Sequence, residues 1–282
     1  MNNDEREVPI HSMLDMANDY AAYCQQSDDI SLSLGDWLPS LGRLIRPLVP
    51  GELAFFMAGT GVGKSMILQN IALACRETAL FFELELPKNL MFERFMACAH
   101  KLDCKDVEAT YKRGNILSSS VANNIFVVDA SRITASKMED IINVQSEKKM
   151  GGRPLVVFVD YIGLMQSSGK SRYEHTSVAA EDLKVMAKNT NTIIIASTQV
   201  SRPGEDDADC NEVNIHSAKD SGSIENSCGL LVGAWRDKQD PHRTMWLKIL
   251  KNTKGQSGTA IKCNLDGARM RITESAYDST TP

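Results

Sequence analysis

Ala58-Gly-Thr-Gly-Val-Gly-Lys-Ser65 carries the clearest chemistry in the chain. Its glycines, Gly59, Gly61 and Gly63, let the backbone wrap so that successive N–H groups point inward at one anion. An ammonium and a hydroxyl follow at once, on Lys64 and Ser65. The set suits a nucleotide: amides for phosphate oxygens, Lys64 for the β- and γ-phosphates, Ser65 to ligate Mg²⁺. Ala58, Gly59, Thr60, Gly61, Val62, Gly63, Lys64, Ser65 and Met66 are the expected contacts. The loop follows a strand-like run, LAFFMA at 53–58, and opens a helical pattern, so a helix N-terminus adds its positive dipole end.

Two further groups of polar residues stand where this chemistry needs them. Asp160 closes the apolar run LVVFVD, where its carboxylate would emerge at the C-terminal sheet edge and hold Mg²⁺ through water. In FFELELP, alternation along a strand puts Glu83 and Glu85 on the same side with Leu84 between them. One of the two could polarise the attacking water as general base, and periodicity does not choose between them. Gln199, just after TIIIAST, sits where a polar side chain could sense the γ-phosphate. His11, His100, His175, His216 and His242 form no constellation.

The elements that must position these residues alternate. Strand-like runs fall at 53–58, 79–86, 124–129, 154–160, 192–198 and 229–235, with helical patterns around 64–77, 88–101, 136–148 and 174–189. Nearly continuous apolar strands between helices predict a mostly parallel, doubly wound α/β sheet. The last third predicts an antiparallel extension, with strand runs joined by Gly-bearing turns. Residues 9–26 space Ile10, Met13, Leu14, Ala17, Ala21 and Cys24 along one helical face, which either folds back or docks on a neighbour.

A formal charge of −5 argues against a protein that coats nucleic acid throughout, though not against a local basic site. Seven scattered cysteines without a C-x-x-C pair read as reduced thiols. The N-terminus is polar and acidic, and no apolar run approaches ~18 residues. A cytoplasmic protein without a membrane anchor is the expectation.

Taken together these segments resemble the C-terminal ATPase domain of the DnaB replicative helicase family, over roughly residues 9 to 272. The resemblance is carried by LVPGELAFFMAGTGVGKSMILQNIA (48–72), FFELELP (81–87), LVVFVDYIGLM (155–165), STQVSR (197–202) and DSGSIENSCGLLVGAWRD (220–237). It implies a RecA-like P-loop NTPase using ATP and Mg²⁺, with Glu85 as the base and Gln199 as the sensor. It implies an ATP-dependent 5′→3′ helicase or translocase in DNA replication, working as a homo-oligomeric ring, a hexamer, around single-stranded DNA. A primase or loader is an expected further partner. Residues 1–30 look like a tail and linker helix for the adjacent subunit, 31–274 like the ATPase domain, and 275–282 like a disordered tail. The family's N-terminal collar has no counterpart here, so the chain resembles single-domain phage or plasmid forms, or an ATPase with separate partners.

Lys219, Asp220 and Gly222 match the family's DNA-gripping loop, and the loop SSGKSRYEH offers Lys170, Arg172 and Tyr173 to phosphate and base or is simply solvated. The acidic run GEDDADCNE (204–212) would repel DNA unless it points away. One departure concerns the group that reaches the neighbour's γ-phosphate: Lys251 matches the family's Lys, but Thr253 stands at its Arg position and Lys254 follows. Either Lys254 substitutes, or hydrolysis is slow. A nucleotide-switched DNA-binding or helicase-loading subunit and a RecA/RadA-like recombination ATPase are therefore rival readings.

Overall fold

The computed structural model describes residues 10–26, 29–169, 171–200, 212–213 and 221–275. The chain divides into two units, Met1–Ser31 and Leu32–Pro282. In the first unit, α1 (Met13–Gln26) buries none of its residues. It starts later than the apolar spacing predicts because Ser12 caps it. The Ser12 hydroxyl accepts from Asp15 N at 3.1 Å while the Asp15 carboxylate takes back the Ser12 N–H at 3.2 Å.

The second unit is built on six parallel strands: β1 (Leu53–Ala58), β2 (Ala79–Glu83), β3 (Ile125–Asp129), β4 (Val156–Asp160), β5 (Ile193–Gln199) and β6 (Leu230–Arg236). Antiparallel β7 (Thr244–Asn252), β8 (Ala260–Asp266) and β9 (Arg271–Glu274) extend it. The nine strands form one sheet in the order β3-β2-β4-β5-β1-β6-β7-β8-β9. This is the α/β fold with an antiparallel C-terminal portion that the alternating runs predict.

Helices cover both faces. They are α2 (Pro39–Leu44), α3 (Lys64–Ala74), α4 (Lys88–His100), α5 (Cys104–Lys112), α6 (Ala135–Asp140), α7 (Ser146–Met150), α8 (Arg172–Thr190) and α9 (Ser221–Ser227). A π-helical turn, Ile141–Gln145, joins α6 to α7, so the predicted helix around 136–148 is one irregular run. β2 ends at Glu83, three residues short of the predicted 79–86, because the chain turns there.

Alternation along β1 divides the core in two. Ala54, Phe56 and Ala58 join the cluster beneath α2, α3 and α4, whereas Leu53, Phe55 and Met57 join the one beneath α6 and α8. Phe55 and Phe56 are both fully buried, so an alanine at either costs about 3–5 kcal/mol. The helix that carries the phosphate loop is also fastened from outside. Buried Asn70 of α3 donates to Met270 O at 2.8 Å and accepts from Ile272 N at 3.0 Å, tying it to β9.

Candidate nucleotide site

β1, β4 and β5 end together at one sheet edge, where Ala58 is in register with Gln199 and Asp160 with Glu83 of β2. The chain leaves β1 at Ala58, turns through Gly59–Gly63 and enters α3 at Lys64. Gly63 has φ +126°, a conformation that a residue with a Cβ rarely adopts, and that Cβ would also lie 3.2 Å from Met245 Cε. The first-turn amides of α3 have no acceptor within the helix, and no side chain caps them. At the start of the helix they are placed to serve as donors for an anion.

Lys64 is 8% exposed, and among the described residues its ammonium donates to Gly59 O alone, at a long 3.4 Å. Its Nζ lies 5.7 Å from the centre of the Tyr161 ring. Burial lowers its pKa, and the charges of Asp160 and Glu85 partly restore it. Asp160 is fully buried; Oδ1 accepts from the Ser197 hydroxyl at 2.6 Å, while Oδ2 has no partner among the described residues. Burial raises its pKa against the hydrogen bonds from Ser197 and Ser65 and the charge of Lys64. An orphaned carboxylate oxygen beside Ser65, an under-used buried ammonium and a bare glycine cradle fit a nucleotide phosphate with its divalent cation. Ser65 and Asp160 would hold the cation, and the loop amides and Lys64 would hold the phosphates.

The two glutamates part company. Glu83 is 1% exposed, at the last position of β2, and its Oε1 accepts from the amides of Glu85 at 3.0 Å and Leu86 at 2.8 Å. Its Oε2 has no partner among the described residues. Glu85 lies beyond the strand, in the turn, and is exposed. Alternation therefore does not put them on one side, because β2 stops before it reaches Glu85. Gln199 Nε2 donates to Thr60 Oγ1 at 2.6 Å, joining the end of β5 to the phosphate loop.

Three neighbours of the site go unremarked in the sequence. Ser197 anchors Asp160, the Tyr161 ring covers Lys64, and Arg236 Nε donates to Val62 O in the loop at 2.7 Å. Arg236 also reaches Pro241 O at 3.0 Å. The arginine follows the apolar run 229–235, and strand register alone brings it beside the loop; its type carries no signal that could have found it.

Lys251 and Lys254 are elsewhere. Lys251 pairs with Leu231, at the edge where β6 begins, whereas the phosphate loop leaves β1 beside Ala234 at the other edge. Its ammonium donates to Glu225 O at 2.5 Å. Lys254 bonds to Glu52 at 2.6 Å and Pro47 O at 2.7 Å, and Thr253 to Gly229 O at 3.2 Å. Of the predicted DNA contacts, Lys170, Lys219 and Asp220 lie outside the described residues, as does the acidic run 204–211. Arg172 is the first residue of α8, and Gly222 is exposed near the start of α9.

Residues 37–274 match the model of the DnaB-like helicase C terminal domain. The replicative DNA helicase DnaB of Treponema pallidum (strain Nichols) is 27% identical over 255 residues, which is 84% of this chain and 55% of that protein. The chain thus spans about half the length of the curated relatives it matches. Among solved structures, one described as an ATPase domain superposes with a TM-score of 0.78 at 19% identity, covering 95% of this chain and all of that one. A DnaB-like replicative helicase, described with its interactions with primase, gives 0.73 at 16% identity, over 95% of this chain and 68% of the other. At those identities the structures speak for the RecA-like fold alone. The match of the family model over most of the chain goes further: this protein belongs to the DnaB-like helicase C-terminal domain family.

Proposed function

We propose that the chain is an ATP-driven motor domain that moves along single-stranded DNA in replication, assembled as a homo-oligomeric, six-membered ring. The observation that carries this reading is the division of one machine between two sheet edges. Lys64, Ser65, Asp160 and Gln199 gather at the C-terminal edge, and Lys251 sits at the opposite one. A lysine that cannot reach its own phosphate loop is suited to completing a neighbour's. Family membership supports the same arrangement.

In this reading Glu85 is the general base for the attacking water, and bound Mg²⁺ supplies charge neutralisation at the phosphates. Gln199 reports the γ-phosphate through its bond to Thr60. Lys251, with one carbonyl partner among the described residues, is the residue that reaches across; Lys254, held by Glu52 and Pro47, braces the turn. Lys170, Arg172, Lys219, Asp220 and Gly222 are the proposed DNA contacts. Residues 1–30 are proposed to dock on the adjacent subunit, 31–274 to form the ATPase domain, and a primase or loader to be a partner. A cytoplasmic site of action follows from work on replicating DNA.

A second reading, a nucleotide-switched subunit without unwinding, draws on Thr253 and on the intrachain engagement of Lys254. Strand displacement separates the two. Forked duplexes with 5′ or 3′ tails, given Mg²⁺ and ATP, should be opened from the 5′ tail by the wild type and not by Lys64→Ala. ATP-dependent DNA binding with no displacement from either tail would overturn the motor reading in favour of the switch.

A further inference from the structure

We propose that Glu83 is the positioning residue for the hydrolytic base, holding the turn that presents Glu85 through a carboxylate oxygen shared by two backbone amides. The proposal rests on the assignment of Glu85 as base made above.

The turn is anchored at its start by Leu84, which is buried in the core, and beyond it by backbone amides. β2 ends at Glu83, and the next amide, Leu84 N, crosses to Asp160 O at 3.0 Å. The following two amides, of Glu85 and Leu86, both point at Glu83 Oε1, at 3.0 and 2.8 Å. Residue 87 is proline, and α4 begins at Lys88, so only four residues link strand to helix. Glu85 itself is exposed, while Leu84 before it is buried in the core beneath α6 and α8. A charged acceptor on two amides is roughly twice as strong as a neutral one, and it keeps the base at a set height above the sheet edge.

Among the described residues the other carboxylate oxygen, Oε2, has no partner, and Glu83 is the register neighbour of Asp160, whose Oδ2 is also without one. One side chain therefore spans from the cation-holding aspartate to the turn of the base. Movement at Asp160 on nucleotide binding would be passed to Glu85 over that distance. Glutamine matches both sides of this bridge: its carbonyl can accept the two amides and its amide can donate to Asp160. Methionine fills the same space and accepts from neither.

The test is a double-mutant cycle on DNA-stimulated ATP hydrolysis, with fluorescent ATP-analogue affinity measured alongside. Glu83→Met should lower kcat by about 10–100-fold, as expected for a displaced catalytic group, with the analogue's Kd within about twofold of wild type. Glu83→Gln should restore kcat to within about threefold and leave the Mg²⁺ half-saturation unchanged. In a Glu85→Gln background, Glu83→Met should cost nothing further. A Gln variant as slow as Met, a raised Mg²⁺ requirement in Gln, or an equal loss in the Glu85→Gln background would each overturn the proposal. If the Met chain melts before assay, Glu83→Asp replaces it; its shorter carboxylate cannot hold both amides, so full rate from Asp overturns the proposal too. A Glu85→Gln chain that hydrolyses at full rate would instead sink the base assignment itself.

Discussion

Glu83→Gln should stabilise the metal- and nucleotide-free protein, by an amount that grows with pH. Burial, reinforced by the charge of Asp160, raises the Glu83 carboxyl from its usual 4.5 to about 7, against the opposing pull of the two amides on it. Below pH 4.5 the group is protonated in folded and unfolded chains alike and contributes no difference. Between 4.5 and about 7 the folded chain holds more protons than the unfolded one, so stability falls as pH rises. Above about 7 the full penalty is present, and the span from 4.5 to 7 corresponds to about 3 kcal/mol. Glutamine carries no such penalty. Urea unfolding in EDTA should find the two proteins within about 1 kcal/mol at pH 5 and about 3 kcal/mol apart at pH 8. The matching difference in Tm is on the order of 6–12 °C. A difference that does not change with pH, or a wild type that gains on the variant as pH rises, would refute the reasoning.

Other consequences are simpler to read. Arg236→Leu removes two charge-assisted bonds, to Val62 O and Pro241 O, and should weaken ATP-analogue binding about tenfold, roughly the worth of one such bond; unchanged affinity would show the loop holds its shape unaided. At Gly163 an added Cβ would lie 2.6 Å from the Tyr161 ring, so Gly163→Ala should shift that ring off Lys64 and cost about 1–3 kcal/mol in denaturant unfolding. Lys251→Ala should cut DNA-stimulated turnover by about 10³-fold, the lower end for a group reaching across an interface. Lys254→Ala should instead cost about 1 kcal/mol of stability through its half-buried pair with Glu52. The opposite ranking in turnover would exchange the roles of the two lysines.

The strands were legible because helices cover both faces of the sheet. Runs such as Leu53–Ala58 and Val156–Asp160 are buried throughout, so their composition alone marks them. Short helices were not legible. α5 sets Cys104, Val107 and Tyr111 along one face but runs for only nine residues, and in α9 the apolar signal is a single isoleucine, so neither pattern is long enough to stand out. The glutamate pair shows a different limit. Alternation holds only while the strand lasts, and β2 stops at Glu83, whose side chain takes the amides two and three residues on, a local turn that spacing does not reveal. Lys64 and Asp160 announced themselves through a loop motif and a strand end. Ser197, Tyr161 and Arg236 join them only through register across the sheet and through ring placement.

Steady-state ATP hydrolysis with and without single-stranded DNA, with Glu85→Gln as control, tests the central claim most directly. The account predicts turnover strongly raised by DNA and lowered by about 10²–10⁴-fold when the base is lost. Tight ATP binding with negligible turnover, unmoved by DNA or by Glu85→Gln, would contradict it.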